Sequence, residues 1–360
     1  MKVVFSVGTP HQAHVFRNAA KHLIDHGINV VFAARDYGCT LDLLSHYELP
    51  FFSYGTPGKS FLGKSRELVV SEYLGFQIVK AAQAQLVVGD SLLGFPSKLL
   101  GIPSIAFVDG DGSDFFNLQY RTLYRSDLIC TPSGFRISID KRHLRYPGYQ
   151  ELAYLHPRWF TPDMSSLDSA GIGKGEPFCI FRTNAFDAQS HDAMYRKYGW
   201  DDRRRLIREL SRIGKVVISS ELELPADLRE HRVRIQPYQI HDVLNQASLV
   251  VSETAMAVEA AILGTPSMFI HPSVGRNCST NFVEMENYGL QRNYSGYTDD
   301  TCQDALELFG HDGKKHHSYL RAQMLKQKID VTSFIIWLVY EALDDRRRLE
   351  TVSVDFSKFL

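Results

Sequence analysis

Residues 247–266 read ASLVVSETAMAVEAAILGTP, and the architecture predicted for the whole chain starts from them. A short apolar run, Leu249–Val251, has the composition of a buried strand, and the polar turn Ser252–Thr254 follows it. The next residues are apolar at helical spacing and end at Gly264 and Pro266, which predicts a helix. A strand, a polar turn and a helix make a βα unit, so free N–H groups and the positive end of a helix dipole follow the strand.

The N-terminus of a helix in this position is where a phosphate or diphosphate binds best. We therefore predict that Ser252, Glu253, Thr254 and Ala255 contact such a group. Glu259 follows within the helix, and its carboxylate is able to accept two hydrogen bonds from a ribose diol. The alternative is an ordinary βα turn with a solvated glutamate.

The rest of the chain predicts two domains of similar type. Residues 2–33 give a strand, a turn, a helix and a second strand, which is typical of a doubly wound parallel sheet. A second α/β series begins at Phe178, and residues 146–163 contain three prolines and are interpreted as the connection. The predicted domains are residues 1–155 and 156–330, and residues 331–360 form a C-terminal helix that crosses back onto the first domain and a tail.

Composition excludes several classes of protein. The chain has 360 residues, 44% of them hydrophobic, and a formal net charge of −1, so it has a core but no basic field for nucleic acid. Its five cysteines are far apart and lack metal-ligand spacing, which indicates a reduced, cytoplasmic protein without a metal site. No apolar segment is long enough to span a bilayer. Peripheral contact with the inner face of the membrane and homo-oligomer formation are left open.

Polar residues follow the predicted strands of the first domain. His11 and His14 begin the first helix, where an imidazole accepts a proton from a hydroxyl or contacts an anion. Asp90 and Asp109 follow two further strands and are candidate bases. The acidic run 109–114 resembles a calcium loop but lacks the later glutamate, so a polar turn is the preferred interpretation.

The second domain carries a matching set. Arg182 ends a strand and is suited to bidentate neutralisation of a phosphate, the alternative being a surface ion pair with Asp187. Ser219 and Ser220 close the next strand and offer hydroxyls to a base or phosphate. Arg276 lies in a turn after a later strand and is a further phosphate contact, although a plain loop explains it nearly as well.

Three motifs carry a resemblance to the GT-B superfamily of nucleotide-sugar glycosyltransferases and non-hydrolysing UDP-N-acetylglucosamine 2-epimerases. Residues 14–16 and 27–30 resemble the GGHVFP…GHEV region of the lipid-II-forming N-acetylglucosaminyltransferase. Residues 252–266 resemble the SGG…EA…LGxP donor motif, with Glu253 and Thr254 in place of the glycines. Residues 89–91 resemble the epimerase GDT motif. Over residues 1–310 the chain looks most like an uncharacterised prokaryotic family of this superfamily, with shared stretches at 146–149, 151–155, 218–221 and 224–225.

The resemblance implies an α/β GT-B fold, with two Rossmann-like domains facing a central cleft. It implies that Glu259 holds the donor ribose, that residues 252–255 hold the diphosphate, and that His14 lies by the acceptor or the sugar phosphate. An epimerase is expected to have a glutamate after the strand at Phe107 and a histidine near Arg182, which this sequence lacks.

The preferred hypothesis is a glycosyltransferase of polysaccharide biosynthesis that moves sugar from a nucleotide, expected to be UDP, to a surface-glycan or lipid-linked acceptor. No metal or cofactor is expected, because Arg182 and the helix N-terminus at Thr254 stabilise the departing diphosphate. His14 is the expected base, with Asp90 and Asp109 as substitutes. The alternatives are a nucleotide-sugar 2-epimerase-like enzyme and a non-catalytic nucleotide-sugar-binding protein. The absence of P-loop, GxGxxG and GxSxG motifs argues against an ATPase, a dehydrogenase and a hydrolase.

Overall fold

Two compact units make up the chain in a computed structural model that describes residues 1–56, 61–111, 125–173, 175–183, 198–221, 223–310, 313–350 and 352–360. Unit 1 is residues 1–160 with 327–360, and unit 2 is residues 161–326. The sequence had placed the corresponding boundaries at residues 155 and 330. Each unit is built on one parallel sheet.

Strands and helices alternate along most of the chain. The strands are β1 (Lys2–Val7), β2 (Asn29–Ala34), β3 (Phe51–Ser53), β4 (Leu86–Gly89), β5 (Ser104–Phe107), β6 (Leu128–Pro132), β7 (His143–Tyr146), β8 (Phe178–Arg182), β9 (Lys215–Ser219), β10 (Leu249–Ser252), β11 (Ser267–Ile270) and β12 (Gln291–Tyr294). The helices are α1 (Pro10–Asp25), α2 (Thr40–His46), α3 (Phe61–Ala81), α4 (Gly94–Leu100), α5 (Leu152–Leu155), α6 (Ser166–Ser169), α7 (Trp200–Ser211), α8 (Ile240–Gln246), α9 (Met256–Leu263), α10 (Thr280–Asn287), α11 (Asp299–Gly310), α12 (Gly313–Leu325) and α13 (Val331–Asp344). Within the described ranges, none of these helices combines the length and apolarity needed to cross a membrane.

The sheet of unit 1 reverses its strand order next to β1. Its order is β3-β2-β1-β4-β5-β6-β7, so the chain builds outward from β1 in both directions. β1 is paired on both sides, and residues 3–7 are buried, which explains the apolar run at the start of the sequence. The C-terminal helix α13 packs on α1 and α5 of the same unit. Ligands of such sheets bind beyond the strand ends at the reversal, here the ends of β1 and β4.

The sheet of unit 2 has the order β12-β11-β10-β8-β9, and its reversal lies between β8 and β10. In the register of these two strands Arg182, the last residue of β8, is opposite Ser252, the last residue of β10. The βα unit predicted from residues 247–266 is present as β10 and α9, and α9 ends at Gly264 in the left-handed conformation.

Three edge strands were not predicted from the sequence: β3, β7 and β12. Each is three or four residues long and only partly buried, so it lacks the continuous apolar run that identifies a central strand. Residues 53–65 are rich in Gly, Ser and Lys and predict a loop, but this prediction is wrong at its C-terminal end, because α3 begins at Phe61. Residues 57–60 of that loop lie outside the described part of the chain.

Gly89 is required for close contact between β1 and β4 at the reversal. Its φ is +143°, and a Cβ atom at this position would lie 2.0 Å from the main-chain oxygen of Ser6. Only glycine adopts this geometry without a clash. Gly89 therefore lets Asp90, the next residue, follow β4 immediately beside the end of β1.

His143 in β7 is predicted to make unit 1 sensitive to acid. Its Nδ1 accepts from the Ile139 N–H (3.3 Å), and its Nε2 lies 2.7 Å from Thr131 Oγ1. Burial, and then the charge of Arg145, lower the pKa of His143 to about 4. The unfolded chain, with a histidine pKa of about 6.5, therefore binds more protons between about pH 6.5 and pH 4, and stability falls as the pH falls through this window.

Replacing His143 with a residue that does not titrate tests this dependence. Urea unfolding at pH 6.5 and pH 4.5 is expected to show a smaller loss of midpoint in His143→Gln than in the wild type. His46→Gln, which changes an exposed histidine of the same unit, is the matched control. An equal acid-induced loss in His143→Gln and the wild type would contradict the assignment.

Candidate functional site

Arg182 presents a charged nitrogen at the strand reversal of unit 2. Its Nη1 donates to Ser219 Oγ (3.2 Å), and its Nη2 donates to the carboxylate of Glu221, a residue whose side chain is 63% exposed. The Nε of Arg182 is buried and has no hydrogen-bond partner among the residues that the structure describes. The ion-pair partner observed is thus Glu221, while Asp187, the partner considered from the sequence, lies outside the described residues.

Local hydrogen bonds hold the turn between β10 and α9. Ser252 Oγ accepts from the Thr254 N–H (3.0 Å), and Thr254 Oγ1 accepts from the Met256 N–H (3.3 Å). Ala255 is exposed at the N-cap position, and its N–H donates to no residue in the described ranges. This N–H therefore remains available at the start of the helix.

The carboxylate of Glu253 points into the core of unit 2. It accepts two hydrogen bonds from Arg203, 2.7 Å from Nε to Oε1 and 2.9 Å from Nη2 to Oε2, and one from Tyr297 (2.5 Å). Burial, and then the Glu253 charge, raise the pKa of Tyr297, so Tyr297 remains a neutral donor. Only the main chain of Glu253 belongs to the turn, and the buried guanidinium compensates the negative charge that replaces a glycine of the donor motif.

Glu259 is held at the edge of the same site. Its Oε1 lies 3.1 Å from Nε2 of His241, a residue of α8 that is 2% exposed, while the Glu259 side chain is 13% exposed. The pair connects α8 to α9 and gives the carboxylate one orientation. This contact is compatible with a ribose-binding role and also with a purely structural one.

The remaining predicted residues of unit 2 lie at neighbouring strand ends. Ser220 Oγ lies 2.6 Å from Thr183 Oγ1, in the segments that follow β9 and β8. Arg276 is exposed in the turn after β11, and its side chain forms no hydrogen bond with the rest of the described chain. Ser219 and Ser252 thus end β9 and β10, Ser220 follows β9, and Arg276 lies in the turn after β11; their binding roles stay predictions.

In unit 1, Asp90 is enclosed between β1 and β4. It accepts from Ser6 Oγ (2.5 Å), Tyr54 Oη (3.3 Å) and the Leu92 N–H (3.0 Å), and thereby caps the short helical turn that follows it. Burial raises the pKa of Asp90. A carboxyl group in this setting is able to exchange a proton nearer to neutrality than an exposed one, but it also has a clear structural role.

His14 lies in the interior of unit 1, where it is 5% exposed. Its Nδ1 lies 3.2 Å from Arg17 Nη1 and 3.0 Å from Tyr47 Oη. These contacts place the imidazole between α1 and α2. The predicted catalytic role of His14 stays a prediction, and the structure encloses this side chain more than that of His11.

His11, Asp109 and Glu151 come together beyond the ends of β1, β5 and β7. One ligand-type atom from each lies within 4.8 Å of the others, and His11 Nε2 is 3.8 Å from Asp109 Oδ2. Glu151 was not among the predicted site residues, because β7, the strand that precedes it in the chain, was not predicted from the sequence. Asp111, also in the acidic run, instead binds Arg136, and residues 112–114 lie outside the description.

Known structures similar to this chain include both epimerases and glycosyltransferases. The S. aureus MnaA–UDP complex is 12% identical with a TM-score of 0.66 and covers 99% of each chain. The UDP-GlcNAc 2-epimerase of Neisseria meningitidis bound to UDP-GlcNAc is 15% identical with a TM-score of 0.62, covering 95% of this chain and 100% of that one. Glycosyltransferase VinC in complex with dTDP is 13% identical with a TM-score of 0.58, covering 96% and 100%. No family model matches the sequence, and no curated protein matches it either.

These similarities confirm the predicted fold. The chain is an α/β protein with the GT-B fold, composed of two Rossmann-like units. Identities of 12–15% establish nothing finer than the fold, and both reaction classes occur among the similar structures. The predicted central cleft between the two domains stays a prediction.

Removing one partner of the Arg203–Glu253 pair is predicted to destabilise unit 2 strongly. The two side chains are 3% and 1% exposed, so Arg203→Met leaves a carboxylate buried without its cation and should cost about 3–5 kcal/mol. Urea unfolding measures the loss. Adding Glu253→Gln should restore most of it, because the amide is neutral and still accepts from Tyr297.

The matched control is Arg212→Met, which removes an arginine of the same helix region that is 71% exposed and paired with Glu209. An exposed pair contributes about 1 kcal/mol or less. Equal losses in Arg203→Met and Arg212→Met, or no recovery in the double variant, would show that the buried pair does not act as described.

Proposed function

We propose that this GT-B-fold chain binds a nucleotide-sugar in unit 2 and transfers its sugar to a hydroxyl of a surface-glycan or lipid-linked acceptor. The observation that carries the proposal is the Nε of Arg182, which is buried at the strand reversal without a hydrogen-bond partner among the described residues, in a strand whose register places Arg182 opposite Ser252. A cationic donor and the N–H of Ala255 at the start of α9, beyond adjacent strand ends, are suited to a diphosphate.

The charges of this site support diphosphate binding without a metal ion. Glu221 competes for Arg182 in the free protein, but it is exposed, and an exposed ion pair is worth only about 0–1 kcal/mol. A diphosphate offers more negative charge and more acceptor oxygens, so it displaces Glu221 at little cost. The same guanidinium and the N-terminus of α9 then stabilise the charge that develops as the diphosphate leaves.

The nucleoside is assigned to the surface beside Glu259. His241 orients the Glu259 carboxylate, and a carboxylate in one orientation accepts two hydrogen bonds from a ribose diol at a low entropic cost. Complexes of similar folds with UDP, UDP-GlcNAc and dTDP support a nucleotide as the ligand class. We propose UDP as the nucleotide.

Unit 1 supplies the groups that would accept the proton of the acceptor hydroxyl. The side chains of His11 and Asp109 are 27% and 33% exposed, whereas His14 and Asp90 are buried. Solvent access favours His11 and Asp109 for this role, because a base must reach the proton it removes.

An epimerase is the second candidate, and Asp90 is the observation that favours it. Its carboxyl has a raised pKa and a Tyr54 hydrogen bond, at the position of the GDT-like motif, and epimerisation needs an acid and a base but no acceptor. Product analysis separates the hypotheses. Free nucleotide released only with acceptor supports transfer, interconversion of two nucleotide-sugars without acceptor supports epimerisation, and tight binding with neither supports a binding protein.

Arg182 and Glu221 are predicted to affect diphosphate binding in opposite directions. Arg182→Gln should weaken UDP binding by about tenfold or more, because a charge-assisted contact contributes about 1.5–3 kcal/mol. Glu221→Gln should tighten UDP binding, since it removes the carboxylate that competes for the same guanidinium group. Isothermal titration calorimetry with UDP measures both, and Arg212→Gln is the surface control. Unchanged affinity in Arg182→Gln would remove the basis of the proposal.

The ribose contact is predicted to depend on Glu259 alone. The wild type should bind UDP more tightly than 2′-deoxy-UDP, and Glu259→Gln should lose this discrimination while inorganic pyrophosphate binds as before. The amide keeps the size of the side chain, so the comparison isolates its charge and acceptor capacity. If Glu259→Gln weakens UDP, 2′-deoxy-UDP and pyrophosphate equally, the His241–Glu259 pair is structural.

A further inference from the structure

We propose that unit 1 contains a divalent-cation site formed by His11, Asp109 and Glu151. It goes beyond the proposed binding of a nucleotide-sugar in unit 2, and it shares His11 and Asp109 with the proton-accepting role proposed for unit 1. The sequence predicts no metal, because the cysteines lack ligand spacing and the acidic run after β5 lacks the later glutamate, and Glu151 belongs to neither pattern.

The first argument is geometric. The three side chains come from different segments, after β1, β5 and β7, and each contributes one atom to a group whose members lie within 4.8 Å of one another. The ligand atoms of a tetrahedral zinc ion lie about 2.0–2.2 Å from it and therefore about 3.3–3.6 Å from one another. The 3.8 Å between His11 Nε2 and Asp109 Oδ2 is close to this spacing, and the widest separation in the group, which is at most 4.8 Å, has to contract by about 1 Å to enclose an ion.

The second argument is the balance of charge. Glu151 is 2% exposed, and its carboxylate shares this space with that of Asp109. A buried carboxylate beside a second, partly exposed one is costly unless cations compensate the two charges. A proton on His11 compensates one charge, whereas a divalent cation compensates both.

The hydroxyl of Tyr146 is a further buried polar group of unit 1. Tyr146 is completely buried, and its hydroxyl makes no hydrogen bond within the described part of the chain. Burial, and then the charges of Asp109, Cys130 and Glu151, raise the pKa of Tyr146, so the phenol stays protonated. A buried hydroxyl without a hydrogen-bond partner indicates a neighbouring space that a ligand or a bound water fills.

The orientation of His11 suits coordination. Its Nδ1 lies 3.2 Å from Tyr154 Oη, while Nε2 donates to Gln150 Oε1 (3.3 Å) and lies 3.8 Å from Asp109 Oδ2, so a bound metal would take the place of the Nε2 proton. A hydrogen bond at one ring nitrogen fixes the imidazole of metal-binding histidines in this way. One imidazole and two carboxylates, without a thiolate, suit Zn²⁺ or Mn²⁺ and leave positions for water or a substrate oxygen.

Direct binding of metal alone tests the proposal. The full chain is treated with EDTA, dialysed, and titrated calorimetrically with Mn²⁺ and with Zn²⁺. All titrations use a protein that carries His22→Gln and His26→Gln, because these two stacked histidines at the C-terminal end of α1, with ring centroids 4.0 Å apart, offer a competing surface site. One equivalent of either metal should bind, and Asp109→Asn and Glu151→Gln should each weaken it by about tenfold or more. Asp140→Asn, at an exposed carboxylate of the same unit, should leave the affinity unchanged.

Two further measurements keep the result decisive. Circular dichroism establishes that each variant is folded, and His11→Gln replaces Glu151→Gln if the latter is not. Absorption of the Co²⁺-loaded protein should lack a thiolate charge-transfer band. No stoichiometric binding, binding that survives Asp109→Asn and His11→Gln together, or a thiolate band would overturn the site. Because no nucleotide is present, this failure is distinct from failure of UDP binding in unit 2.

Discussion

Parallel pairing of β8 with β10 is the constraint on which the candidate donor site depends. The register places Arg182 opposite Ser252, so a cationic side chain and the start of α9 lie beyond neighbouring strand ends. Because the sheet order reverses there, the chain continues from β8 to β9 on one side and from β10 to β11 on the other. Unit 1 repeats the arrangement with β1 and β4, where Gly89 allows the closest approach of the two backbones.

The two units handle buried negative charge differently. In unit 2, Glu253 has a bidentate arginine and a tyrosine, so its charge is compensated within the core. In unit 1, the carboxylates of Asp109 and Glu151 lie beside the imidazole of His11. The first arrangement stabilises a turn without consuming the proposed donor-binding groups, and the second is the group proposed to bind a divalent cation. This contrast explains why similar acidic residues are assigned structural and ligand-binding roles.

Glycosyl transfer and epimerisation place different demands on the same fold. Both begin with a diphosphate held by a cation and a helix N-terminus, which is the part of the site that unit 2 supports most directly. They differ in what unit 1 must provide: a base that an acceptor hydroxyl reaches, or an acid and a base that act on the sugar itself. The exposure of His11 and Asp109 favours the former, and the enclosed carboxyl of Asp90 is the feature that favours the latter.

The sequence by itself determined the central strands, the helix after residue 255 and the strand-end residues Arg182, Ser252 and Asp90, because continuous apolar runs and turn residues are local signals. It did not determine the edge strands β3, β7 and β12, because each has only three or four residues, mostly partly exposed, and forms no continuous buried apolar run. The partners of Glu253 and the approach of Glu151 to His11 were decided only by the tertiary structure. Arg203 is 50 residues from Glu253, and Glu151 is 140 from His11, and sequence periodicity does not report which distant side chains meet when strands pair.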